Sequence, residues 1–96
     1  MIDYLQARSG RYITIAALCE ALTMKRRAVE DAITQARLEG VPLVTSSDGV
    51  MWTADPVLVR ACAARLRSRA LHQLDTAGAL ADAADRMPMT LWRVAS

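Results

Sequence analysis

The chain has 96 residues, a formal net charge of +2 and 53% hydrophobic residues, with many alanines and no phenylalanine. That length allows one small domain, or a smaller domain with an appended element, and the scarcity of aromatics favours closely packed helices over a bulky sandwich core. The mildly basic balance (pI about 8.8) permits nucleic-acid binding without demanding it, and the basic excess is uneven. Residues 1–53 carry six basic and six acidic side chains, whereas residues 54–96 carry six basic and four acidic.

Ile2 to Arg8 reads as a short first helix, with Asp3 near the positive end of its dipole and Ile2 and Leu5 facing inward. Ser9-Gly10 stops it, and Arg11-Tyr12-Ile13 reads as a very short extended segment. Thr14 suits the N-cap of a helix over Ile15 to Leu22. The position that would complete a capping box holds Ala17, so the cap is of the simple kind. Ile15, Leu18, Cys19 and Leu22 share one face. A tight connection, Leu22-Thr23-Met24, leads to a helix over Lys25 to Leu38. There Ala28, Val29, Ala32, Ile33 and Ala36 form an apolar stripe, and Arg26, Arg27, Glu30, Asp31, Thr34 and Gln35 lie on the other face.

Gly40 closes that helix and Val41-Pro42 prevents its continuation. Leu43–Ser46 and Val50–Thr53 read as a hairpin joined by Ser47-Asp48-Gly49, with Val50 and Trp52 on one face and Met51 on the other. Asp55-Pro56 opens the last helix, Asp as N-cap and Pro at the first helical position. Its pattern stays helical as far as Met87, about 30 residues or ~45 Å if unbroken. Gly78 makes a break near Thr76 to Gly78 the alternative, and Pro88 ends the helix. One stripe contains Val59, Cys62, Leu66, Ala70, Ala77, Leu80, Ala81 and Ala84, with Gln73 its only polar gap. Met89 to Ser96 reads as a loose tail, with Leu91 and Trp92 as residues that can dock.

Fold class follows as mainly α with a small β-hairpin (α+β). Helix, tight turn, helix and hairpin is the order of a winged helix-turn-helix, whose second helix lies in the DNA major groove. The expected organisation is a winged helix-turn-helix over 1–54, a long amphipathic helix over 55–88 and a tail over 89–96.

The stretch LTMKRRAVEDAITQARLEGVPLV, residues 22–44, resembles the winged helix-turn-helix of the biotin repressor/biotin–protein ligase family. Leu22, Met24, Arg26, Ala28, Ile33, Arg37, Gly40 and Val41 carry the likeness in order, followed by a glycine in the wing (Gly49), an aromatic in the returning strand (Trp52) and Pro56. The match covers residues 14–56. The whole chain, with its RLRSRALHQL helix, also looks like short helix-turn-helix proteins of bacteriophages and actinobacteria. The resemblance implies DNA binding in a regulatory role. Ligase or biotin-binding activity does not carry over, because no such domain follows. The sequence departs from the family in two places: Lys25 stands where a small hydroxyl N-cap is usual, and Asp48 stands beside the wing glycine where a basic residue is common.

On the DNA reading, Lys25, Arg26 and Arg27 sit at the N-terminus of the recognition helix, where dipole and side chains attract phosphate. Arg27 and Thr34 point to base edges, Glu30 is an acceptor for cytosine, and Arg11 and Arg37 flank and touch the backbone. Ser46, Ser47, Asp48 and Gly49 form the wing. Arg60, Arg65, Arg67 and Arg69 add phosphate contacts if the long helix crosses the duplex. The blander alternative pairs Arg26 with Glu30 and Arg27 with Asp31 as ordinary exposed helix pairs. Val59, Cys62, Leu66, Ala70, Ala77, Leu80 and Ala84 are the candidate dimer stripe, the other possibility being that this helix folds back on its own domain; a two-fold dimer suits a palindromic site.

No enzyme is expected. His72 lies on the polar side of its helix, Asp82 and Asp85 read as a solvated face, and no spacing suggests a metal site or phosphate loop. Cys19 and Cys62 read as small buried hydrophobes. Neither a cofactor nor a small-molecule ligand is expected. With no leader and no apolar run near ~18 residues, the expected location is the cytoplasm, that of the bacterial host if the chain is phage-encoded. The second functional class is a winged helix that binds a host or partner protein instead of DNA, favoured by the neutral N-terminal half and the acidic wing.

Overall fold

The computed structural model describes residues 1–88. The elements are α1 (Ile2–Gln6), α2 (Ile15–Leu22), α3 (Arg26–Leu38), β1 (Leu43–Ser46), β2 (Gly49–Trp52) and α4 (Pro56–Asp85). The class is mainly α with one small antiparallel hairpin. The expected tail, with Leu91 and Trp92, lies outside the described residues. The chain divides into two compact units, residues 1–63 and a second beginning at Ala64. This boundary falls later than the sequence suggests, because the first turns of α4 pack within the first unit.

In that first unit, α1 is shorter than its sequence pattern. Regular helix stops at Gln6, and Arg8 folds back instead, its Nη1 donating to the Tyr4 carbonyl at 3.0 Å with the guanidinium 3.7 Å above the Tyr4 ring. Gly10 has φ +82° and donates its N–H to the Trp52 carbonyl at 3.0 Å. Ile13 then forms a single antiparallel bridge with Val50 through bonds of 2.8 and 2.9 Å. The Arg11–Ile13 segment thus reaches the hairpin as one bridge, without forming a strand.

Thr14 caps α2 as its sequence position implies, its hydroxyl accepting from the Ala17 N–H at 3.1 Å. The helix ends in a left-handed residue, Thr23 at φ 52°, ψ 48°. The Met24 N–H reaches the Cys19 carbonyl at 3.0 Å and the Thr23 N–H the Glu20 carbonyl at 3.4 Å. This pair of bonds is the Schellman closure, normally built on glycine. It reverses the chain in three residues and delivers it to Lys25, which takes the extended N-cap position of α3 with no side-chain cap.

The hairpin pairs Leu43 with Trp52, Val44 with Met51, Thr45 with Val50 and Ser46 with Gly49. Its tip is the two residues Ser47 and Asp48, and the positive φ falls on Gly49 (+123°), so Gly49 is the first residue of β2 and not part of the connection. Alternation puts Leu43, Val50 and Trp52 on one face and Val44 and Met51 on the other. The first face meets Leu5, Leu18, Val29, Ile33 and Ala36. The second meets Cys62 and Val59 of α4. Both faces of a two-stranded sheet are therefore covered. Leu5, Leu18, Val29, Val44 and Val50 are fully buried, each worth about 1.5–3 kcal/mol relative to exposure.

Asp55 and Pro56 start α4 as anticipated, the Asp55 carboxylate accepting from the Val57 N–H at 2.9 Å. The helix runs to Asp85 without a break at Gly78, which settles the continuity left open by the sequence. In the second unit every described residue from Ala64 to Pro88 is exposed except the half-buried Ala83 and Ala84. Among the described residues no helix is long and apolar enough to cross a membrane.

Candidate nucleic-acid interface

The α3 helix is held by one stripe and displays the rest. Val29, Ile33 and Ala36 are buried and Ala32 is half-buried. Ala28, assigned to the stripe from sequence, is exposed; at 100° per residue it lies about 80° from Ala36, the nearest buried position. The outward face carries Arg27, Asp31, Thr34 and Leu38 along one line of the helix, with Arg26 and Glu30 beside it.

The arginines of the first turn are both exposed and both paired along the helix. Arg26 Nε lies 2.9 Å from Glu30 Oε1, with side chains 73% and 49% exposed. Arg27 Nε lies 4.0 Å from Asp31 Oδ2, at 89% and 74%. At such exposure an ion pair contributes only a few tenths of a kcal/mol, so neither contact fixes its arginine. Lys25 is exposed and stands at the helix entrance. The Thr34 hydroxyl donates to the Glu30 carbonyl at 3.2 Å, so in this arrangement its proton is turned into the helix and an oxygen lone pair faces outward.

Arg37 departs from its sequence-based role. It is half-buried, and its Nε donates to the Leu43 carbonyl at 2.9 Å. One Nη donates to Thr45 Oγ1 at 3.0 Å and lies 3.6 Å from Cys62 Sγ. The reason is topological. Val50 spends its backbone groups on Ile13, and Trp52 gives its carbonyl to Gly10; their partners Thr45 and Leu43 therefore turn the corresponding groups toward the outer edge of β1. The guanidinium covers that edge and ties α3 to the hairpin, so a role in touching the DNA backbone does not fit its position.

The wing residues divide. Ser46, Ser47 and Asp48 are exposed and Gly49 is buried. The Ser46 hydroxyl accepts from the Asp48 N–H at 3.1 Å, which locks the tip into a compact, acidic turn. Arg11 is exposed, two residues ahead of the Ile13 bridge. Of the dimer stripe, Cys62 is buried and Val59 half-buried against Val44 and Met51. These two residues serve the fold of their own unit, whereas Leu66, Ala70, Ala77 and Leu80 remain exposed and Ala84 half-buried. Cys19 and Cys62 are both free thiols.

Two residues escaped the sequence reading. Leu38 is 78% exposed and continues the Arg27–Thr34 line; its distance from the apolar stripe is the signal that could have revealed it. Thr53 is buried, with its hydroxyl accepting from the Asp55 N–H at 3.1 Å. Its role is to join the hairpin to α4. An open depression of about 460 Å³ lies elsewhere on the unit, between α1 and α3, lined by Met1, Ile2, Asp3, Ala32, Gln35, Ala36 and Glu39.

The outward face of α3 is thus a rigidly mounted polar surface with cations at its N-terminal end, a hydroxyl midway and an apolar side chain at its far end. No family model, curated protein or solved structure matches this chain.

Proposed function

We propose that the protein binds double-stranded DNA through α3 and acts as a small transcriptional regulator, phage or bacterial, in the host cytoplasm. On this reading residues 14–56 are a winged helix-turn-helix of the biotin repressor/biotin–protein ligase type. The observation that carries it is the mounting of α3: three buried residues and a tight turn on left-handed Thr23 hold the helix, and the cations of its N-terminal turn are exposed. Phosphates compete readily for Arg26 and Arg27 against exposed carboxylates, since counterion release adds to the attraction. On this reading Arg27 takes guanine, Glu30 cytosine, and Leu38 a thymine methyl. Lys25 and Arg11 supply phosphate contacts. The acidic tip at Asp48 has no minor-groove task in this scheme.

The test is fluorescence anisotropy with random-sequence duplex over a salt series. Binding should weaken with a log–log slope of about −0.9 per phosphate neutralised, and Arg26→Glu with Arg27→Glu should abolish it. Absence of binding at low salt would sink the proposal. A protein-interaction module is the second reading, favoured by the carboxylates flanking both arginines, the acidic tip and the exposed Leu38. It requires negligible affinity for any duplex at about 100 mM salt, where phosphate contacts still count, together with a partner lost on Leu38→Asp.

A further inference from the structure

From Leu66 to Ala84, α4 carries a repeating pattern on a face that, unlike Val59 and Cys62, packs against nothing in the hairpin. Leu66, Ala70, Gln73, Ala77, Leu80 and Ala84 follow one another at intervals of four, three, four, three and four residues, the alternation of the two core positions of a heptad. One layer is alanine throughout (70, 77, 84). The other is Leu66, Gln73 and Leu80. Leu66 is 42% and Leu80 68% exposed. An alanine layer lets two helix axes approach at the short end of the usual 8–10 Å range.

The charges along the same segment are antisymmetric. Ala64 to Leu74 holds Arg65, Arg67 and Arg69 and no carboxylate, whereas residues 75–88 hold Asp75, Asp82 and Asp85 against Arg86 alone. The first half is thus +3 and the second −2. Parallel pairing of two such helices sets like charge beside like charge. Antiparallel pairing sets each basic half beside an acidic one, twice.

We infer that two copies of this protein associate through α4 in antiparallel orientation, about a two-fold axis at Gln73. In that register Leu66 faces Leu80 of the second copy, Ala70 lies one residue from the level of its Ala77, and Gln73 meets its own equivalent. Each Gln amide has both donors and an acceptor, so the pair bonds mutually across the axis, and one polar pair in an apolar seam fixes register at some cost in stability. This inference is independent of what α3 binds.

Sedimentation equilibrium of the full chain reads the association: a species of twice 10.5 kDa, dissociating on dilution. Leu66→Lys with Leu80→Lys should leave a monomer whose Val50 and Met51 amides keep their hydrogen-exchange protection, because both side chains are exposed and the hairpin does not use them. Orientation is read by mild oxidation of Leu66→Cys and Leu80→Cys chains, one of them lengthened by a tag, with the wild type as blank for Cys19 and Cys62. A mixed disulfide that forms only when the two variants are combined supports the antiparallel register. A monomer at every attainable concentration, or disulfides formed by each variant alone, would overturn it.

Discussion

Gly49 shows how much of the unit hangs on one missing side chain. A Cβ built there would lie 2.1 Å from the Ile13 carbonyl oxygen and 2.8 Å from the Thr14 Cα, at a φ of +123°. These obstacles are backbone and belong to the bridge that fastens residues 10–14 to β2, so nothing can move aside cheaply. Gly49→Ala is expected to cost about 3 kcal/mol or more, measured by urea denaturation. Thr23 is the opposite case. A β-branched residue in the left-handed region is strained, and the Schellman bonds hold it there. Thr23→Gly should raise stability by about 0.5–1 kcal/mol, the relief of strain exceeding the added freedom of the unfolded chain; a fall in the melting temperature would show the threonine to be otherwise supported. For Arg37, replacement by Met should cost about 2 kcal/mol through the exposed edge carbonyl and the lost bond to Thr45. Lys in its place should recover little, because a point charge cannot span both acceptors. Local residue identity made the glycine of the hairpin and the cap at Thr14 legible. The Ile13 backbone over Gly49 and the β1 edge under Arg37 are long-range facts, which no window of sequence contains.

At the scale of elements, start and stop signals were strong where they were chemical: Thr14, Gly40, Pro42 and Asp55-Pro56 all act as their types imply. They failed at α1, where regular helix ends at Gln6 and the Arg8 side chain turns back one turn onto Tyr4. Periodicity shows that α4 has an apolar stripe but not that Val59 and Cys62 of that stripe cover the second face of the hairpin while Leu66 onward does not, which is why the first compact unit extends to residue 63. The outward face of α3 was legible from its period except at Ala28, which was assigned to the stripe but is exposed, and at Leu38, lost among the helix-terminal residues. Gly78 is the element's weak point. A methyl group there meets nothing within 4 Å, so Gly78→Ala should add about 1 kcal/mol of helix stability, visible as a later loss of helical circular dichroism on heating. No gain would mean that the segment around Gly78 is not helical in solution.

For the whole molecule, the two units differ in what holds them. Residues 1–63 possess a core with fully buried side chains, whereas from Ala64 to Asp85 the described helix has scarcely any buried surface. A helix with so little packing has only its own propensity to hold it, and a strongly exposed one opens locally at low free energy. Association through the Leu66–Leu80 seam changes that balance by mass action, because a partner that binds only the helical state stabilises it in proportion to the logarithm of its concentration. Hydrogen exchange should therefore separate the units. Amides of residues 66–82 should exchange fast in dilute protein and slow progressively as concentration rises, while the Val50 and Met51 amides keep one rate set by the hairpin core. Adding duplex DNA should slow exchange at the first turn of α3 at any concentration if that helix is the contact. Concentration-independent exchange along α4 would mean that the helix finds its stability within its own chain, and the seam would then have no role in assembly.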